Sequence, residues 1–151
     1  PFTMGGTAFA GTMGWYDYST KNQAWSSIFS DDDYMRKKSP GGSVWMDVEY
    51  ARFGMDDKEL ARLMADNLLD DLKMLGIDWG KSGCKQEINF KKIIFVSHFV
   101  PYIDFITFYN NPEYDFFGAF IGHTRLGEIM DAIPRDIKKM AFFIASPYEI
   151  L

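Results

Sequence analysis

The sequence holds two histidines, His98 and His123, and each stands where a side chain could do chemistry. His98 falls within Ile93-Ile94-Phe95-Val96-Ser97-His98-Phe99-Val100-Pro101, where a β-favouring apolar run meets a histidine and then stops at a proline. A strand end fixes the backbone of such a residue. A neutral imidazole held that way suits zinc, manganese or iron, and it suits proton transfer for the same reason. The alternative is a loop histidine satisfied by hydrogen bonds. His123, in Gly122-His123-Thr124-Arg125, reads either as a metal ligand or as a helix-start histidine. Asp17 lies among Trp15, Tyr16 and Tyr18, where it could contact substrate or orient a ligand histidine through its second nitrogen; a capping loop carboxylate is the plainer reading. Arg125 could grip a phosphate with two parallel hydrogen bonds, or be an exposed arginine at a helix start.

Positioning these residues requires elements that the apolar pattern supplies. Thr7 to Met13 reads as a short buried strand feeding the loop Gly14 to Ser19. Residues 22–55 form an irregular excursion with an acidic run Asp31 to Asp33, a basic run Arg36 to Lys38 and the breaker Ser39-Pro40-Gly41-Gly42. Asp56 and Asp57 then start a helix in which Leu60, Leu63, Met64, Leu68, Leu72 and Leu75 share a face, ending at Gly76. After a polar connection, Lys92 to Ser97 is a continuously apolar strand, expected to be central and covered on both faces. Leu126, Ile129, Met130 and Ile133 mark a second helix before Pro134, and Lys139 to Ile144 a further strand. Alternating strand and helix predicts an α/β layered domain with a mostly parallel central sheet over 1–151, and ligands in such sheets gather at the carboxyl ends of strands. His98 lies at one such end.

A formal charge of −5 argues against a general nucleic-acid or anionic-membrane binder, though it leaves room for a local basic patch. The greasiest region, 93–109, is interrupted by His98, Pro101 and Asp104 and falls short of the about 20 apolar residues needed to span a bilayer. The single cysteine, Cys84, reads as a free thiol in a reducing compartment, which sets the expectation of a cytoplasmic protein. Aromatic residues make up 17% of the chain, enough for a core or cleft rich in large rings. Pro1-Phe2-Thr3 offers neither an initiator methionine nor a signal-peptide pattern, so the chain is expected to be a piece of something longer.

The run "IIFVSHFVP", with "GTMGWYDYS" before it and "RLGE" after it, resembles the calcineurin-like metallophosphoesterases, in particular a group of bacterial phosphoesterases. That resemblance covers most of the chain. It implies a metallophosphoesterase-like sandwich, two divalent metal ions (Mn, Fe or Zn), hydrolysis of phosphate mono- or diesters, and a phosphorylated small-molecule substrate. His98 matches the family's lone histidine after a hydrophobic strand. The family's Asp-x-His, Gly-Asp and Gly-Asn-His motifs are not in this sequence, which implies an incomplete, C-terminal portion inactive by itself. His123 is not a clear match to the closing Gly-His-x-His, because Arg125 to Met130 opens a helix. The other reading is a non-catalytic domain of the same shape that binds a partner or small ligand through its aromatic loops.

Overall fold

The computed structural model describes residues 1–78 and 88–143. Cys84 lies outside them, as does the sequence beyond Phe143. Four strands form one sheet in the order β1 (Phe2–Met4), β2 (Thr7–Thr12), β3 (Lys92–Ser97), β4 (Lys138–Phe143). β2, β3 and β4 run parallel, with Ala8 beside Ile93 and Ile93 beside Lys139. The mixed α/β class expected from the alternation is the one found. β1 is an addition to that expectation: it pairs antiparallel with β2 through a two-residue turn at Gly5-Gly6, both at positive φ (56° and 72°). Such a turn matches the twist of the flanking strands only when both residues tolerate φ above zero, which glycine does.

Between β2 and β3 the chain forms α1 (Asp31–Met35), α2 (Asp47–Tyr50) and α3 (Asp57–Met74). Ser30 starts α1 with a reciprocal capping box to Asp33, and Asp56 caps α3 by accepting from the Glu59 amide at 2.8 Å. α3 buries Leu60, Ala61, Ala65, Leu68 and Leu72. Leu63, placed by its spacing on the core face, is instead 43% exposed. Ala65 takes the inner side, where its small side chain lets the helix approach the equally small Ala8 and Ala10 of β2, while Ala61 is buried against the aromatic rings of a second cluster. Each buried leucine contributes roughly 1.5–3 kcal/mol.

After β3 come the short α4 (Pro112–Asp115), a 3₁₀ turn at Phe116–Phe120, and α5 (Thr124–Asp131), which feeds β4. α3 and α5 cover the same side of the sheet: Ala65, Leu68, Leu72, Leu126, Ile129 and Met130 share one cluster with Ala8, Ala10, Ile93 and Phe95. The opposite side corrects the expectation of cover on both faces. Along β3 burial alternates, and Val96 is 40% exposed although its strand is flanked on both edges. Phe2, stacked on Phe9 at 4.6 Å, is 59% exposed on the neighbouring strands. The continuous apolar run of β3 therefore records an apolar strand, not two covered faces.

A second cluster lies past the carboxyl ends of β2 and β3. Trp15, Tyr16, Tyr18, Phe29, Tyr34, Phe99, Phe116 and Phe120 pack with Leu60 and Ala61 of α3. The aromatic richness of the sequence thus builds a core, and residues 22–55 are bound into it through Phe29 and Tyr34.

Candidate functional site

The loops after β2 and β3 meet at the carboxyl edge of the sheet. His98 follows β3 directly and is half-buried, its amide donating to the Met13 carbonyl at 3.3 Å and its ring meeting Phe99 edge-on at 5.0 Å. The Ser97 hydroxyl accepts the Phe99 amide at 3.2 Å and so turns the chain away from the strand. Beyond it, the Val100 amide donates to the Ile121 carbonyl and the His123 amide donates to the Val100 carbonyl, each at 3.0 Å. This small parallel bridge brings the segment before α5 beside the His98 loop. Gly122 fits there because a Cβ would stand 2.5 Å from Thr20 Cγ2.

His123 and Asp17, distant in sequence, are brought together. His123 Nε2 lies 3.3 Å from Asp17 Oδ2, and the histidine is 3% exposed. Asp17 Oδ1 accepts the Ser19 amide at 3.0 Å, while the Ser19 hydroxyl accepts the Thr124 amide at the start of α5, also at 3.0 Å. Burial holds the His123 imidazole below its ordinary value; Asp17 pulls it upward, Arg125 downward and Glu128 upward, and burial prevails. Its Nδ1 is buried without a hydrogen-bond partner. Arg125 opens α5 at the surface and donates to Glu128 at 2.7 Å. Among the described residues, no group of three or more His, Cys, Asp or Glu is gathered so that it could hold a metal ion. His98 is placed at the rim, whereas His123 is enclosed against Asp17.

Two carboxylates, half-buried Asp57 and buried Asp115, carry much of the local organisation, and the sequence pattern marked only the first, as part of a helix start. Asp57, at the first turn of α3, accepts from Trp15 Nε1 at 2.7 Å, from Lys37 Nζ at 2.6 Å and from the Tyr18 hydroxyl. It thereby ties the β2 loop to the excursion and to α3. Tyr18 sits at φ 67°, a left-handed conformation uncommon for an aromatic residue, and its hydroxyl contact helps hold it there. Burial and then Asp57 push the Tyr18 phenol up, and burial with Asp57 and Asp47 does the same to Tyr16, so both rings stay neutral. Asp115, 2% exposed, accepts from Asn22, Trp25 Nε1 and the Tyr109 amide. The local signal for Asp57 was present as an acidic pair before an apolar period, but only the fold shows that Asp56 caps while Asp57 turns inward.

A cavity of about 230 Å³ opens elsewhere, between the start of α1 and the preceding 3₁₀ turn at Gln23–Trp25. Lys21, Asn22, Phe29, Asp31 and Tyr34 are among its lining residues, with the Lys21–Asp31 ion pair at 2.7 Å. It includes none of His98, His123, Asp17 or Arg125. No family model, curated protein or solved structure matches the chain. No helix among the described residues is long and apolar enough to cross a membrane.

Proposed function

We propose that this chain contributes His98 to a metal-dependent phosphoesterase site whose remaining ligands come from sequence outside it. The observation that supports this is the position of His98 at the carboxyl end of β3, between two parallel neighbours, with its backbone joined to the β2 loop. Ligand sites in parallel sheets form at such ends. The similarity of "IIFVSHFVP", "GTMGWYDYS" and "RLGE" to calcineurin-like metallophosphoesterases supplies the reaction class: hydrolysis of a phosphate mono- or diester with two divalent metals. The described residues do not make a complete metal site. Because the family's Asp-x-His, Gly-Asp and Gly-Asn-His motifs are not in this sequence, the reading assigns turnover to a longer form and not to this chain alone.

The test compares this chain with a form extended at its N-terminus by the sequence of a natural longer version, measuring bound metal and hydrolysis of an aryl phosphate. Metal-dependent turnover is expected only in the extended form, and His98→Ala there should lose bound metal. Stoichiometric metal retained by His98→Ala would overturn the assignment of His98. Neither metal nor turnover in either form would favour a non-catalytic domain.

A further inference from the structure

We propose that the Asp17–His123 contact is an acid-released latch, which holds the loop after β2 against the start of α5 at neutral pH and above and loosens it when the histidine gains a second proton. This goes beyond the phosphoesterase reading and does not depend on it.

The geometry carries the inference. Three ties join the two segments: Thr20 Oγ1 donates to the Gly118 carbonyl at 2.7 Å, the Thr124 amide donates to Ser19 Oγ at 3.0 Å, and His123 Nε2 lies 3.3 Å from Asp17 Oδ2. Asp17 serves both sides of the junction, since its other oxygen accepts the Ser19 amide and shapes the turn that presents the Ser19 hydroxyl. With Nε2 facing a carboxylate, the neutral ring carries its proton there and leaves Nδ1 as an acceptor. Nδ1 is buried and has no partner. A second proton would create a cationic N–H donor with nothing to receive it, a state that burial penalises unless the ring gains access to water.

The charges that bear on the ring are Asp17 from the β2 loop and Arg125 and Glu128 from α5. Asp17 and Glu128 favour the second proton; burial and Arg125 oppose it, and the net effect holds the ring below its ordinary value. The sign follows from linkage. The unfolded or unlatched histidine takes a proton near its ordinary value of about 6.5 while the latched one does not, so the latch is fully stabilised above that pH and is lost as pH falls below it. One proton is involved, so the ratio of latched to released forms should fall by up to about tenfold per pH unit between the two titration points.

Because the chain has only two histidines, their ring resonances can be followed separately by NMR across pH 5 to 8, with amide exchange read at Ser19 and Thr124. Below pH 6.5, the protection factors of both amides, that is their exchange rates referred to the intrinsic rate at each pH, should fall, while His123 titrates below the ordinary histidine value. His123→Gln, neutral throughout, should remove the acid dependence of these protection factors. Should His123→Gln fail to fold, Asp17→Asn provides the second arm: it keeps an acceptor for Nε2 but removes the charge that favours protonation, so the His123 titration should move to lower pH. A His123 ring that titrates at or above the ordinary value, unchanged acid dependence in His123→Gln, or an unmoved titration in Asp17→Asn would each overturn the latch.

Discussion

Asp57→Ala should be among the most damaging single substitutions outside the sheet core. The Asp57 carboxylate is shared by three donors, Trp15 Nε1, Lys37 Nζ and the Tyr18 hydroxyl, and both partners of its ion pair with Lys37 have side chains only 14% exposed. Removing one partner of a buried ion pair costs about 3–5 kcal/mol, and an orphaned neutral donor about 1–3 kcal/mol. These contributions do not add, because they share one acceptor and residual solvent access lets water replace part of what is lost. A net loss of about 3–5 kcal/mol is expected, a large fraction of the roughly 5–15 kcal/mol that stabilises an ordinary domain. Lys37→Met should cost less, since Asp57 then keeps two hydrogen bonds. Adding Lys37→Met to Asp57→Ala should recover about 1 kcal/mol or more by removing the stranded ammonium. Urea unfolding followed by tryptophan fluorescence measures all three. A loss below about 1 kcal/mol for Asp57→Ala, or a larger loss for Lys37→Met, would refute the hub.

Two further expectations concern the junction around α5. Gly127→Ala would put a Cβ 2.5 Å from the Pro101 carbonyl oxygen and 2.7 Å from the Tyr102 ring, so it should destabilise by about 1–3 kcal/mol in denaturant unfolding. Ser19→Ala removes the acceptor for the Thr124 amide at the start of α5; a loss of about 1 kcal/mol is expected, with faster hydrogen exchange at Thr124. Unchanged exchange there would show that the Ser19 hydroxyl does not cap the helix.

The sequence was informative wherever a local rule and the tertiary structure agree. α3 starts at an aspartate cap and closes near Gly76, α5 contains the Arg-Leu-Gly-Glu run, and β2, β3 and β4 lie where apolar runs predicted strands. β1 was not expected, because its Phe2 and Met4 are exposed and three residues give too little pattern to mark a strand. Side chains that meet across long separations were harder to see. Asp17 and His123 were each noticed alone, but nothing in either local sequence announces their contact, and Lys37 and Asp57 meet only because residues 22–55 fold back over the start of α3. β3 is covered on one face although its run is continuously apolar, because apolar character in a strand states what its side chains are, while cover depends on where the neighbouring helices go.

Strand order explains that cover and bears on the candidate site. β2, β3 and β4 lie side by side in the order the chain makes them. Right-handed crossovers stepping in one direction deliver their helices to one face, and α3 and α5 accordingly share a single cluster. A crevice opens most readily where adjacent connections leave on opposite faces, and this order makes no such reversal among the described parallel strands. Here the carboxyl edge is occupied by aromatic rings, from Trp15 and Tyr16 to Phe116 and Phe120. The two histidines have different fates as a result. His98 stays half-buried, next in the chain to the last residue of β3, whereas His123 is enclosed and lies against Asp17. Substitution at His98 should therefore register in ligand binding, and substitution at His123 in stability and its dependence on pH.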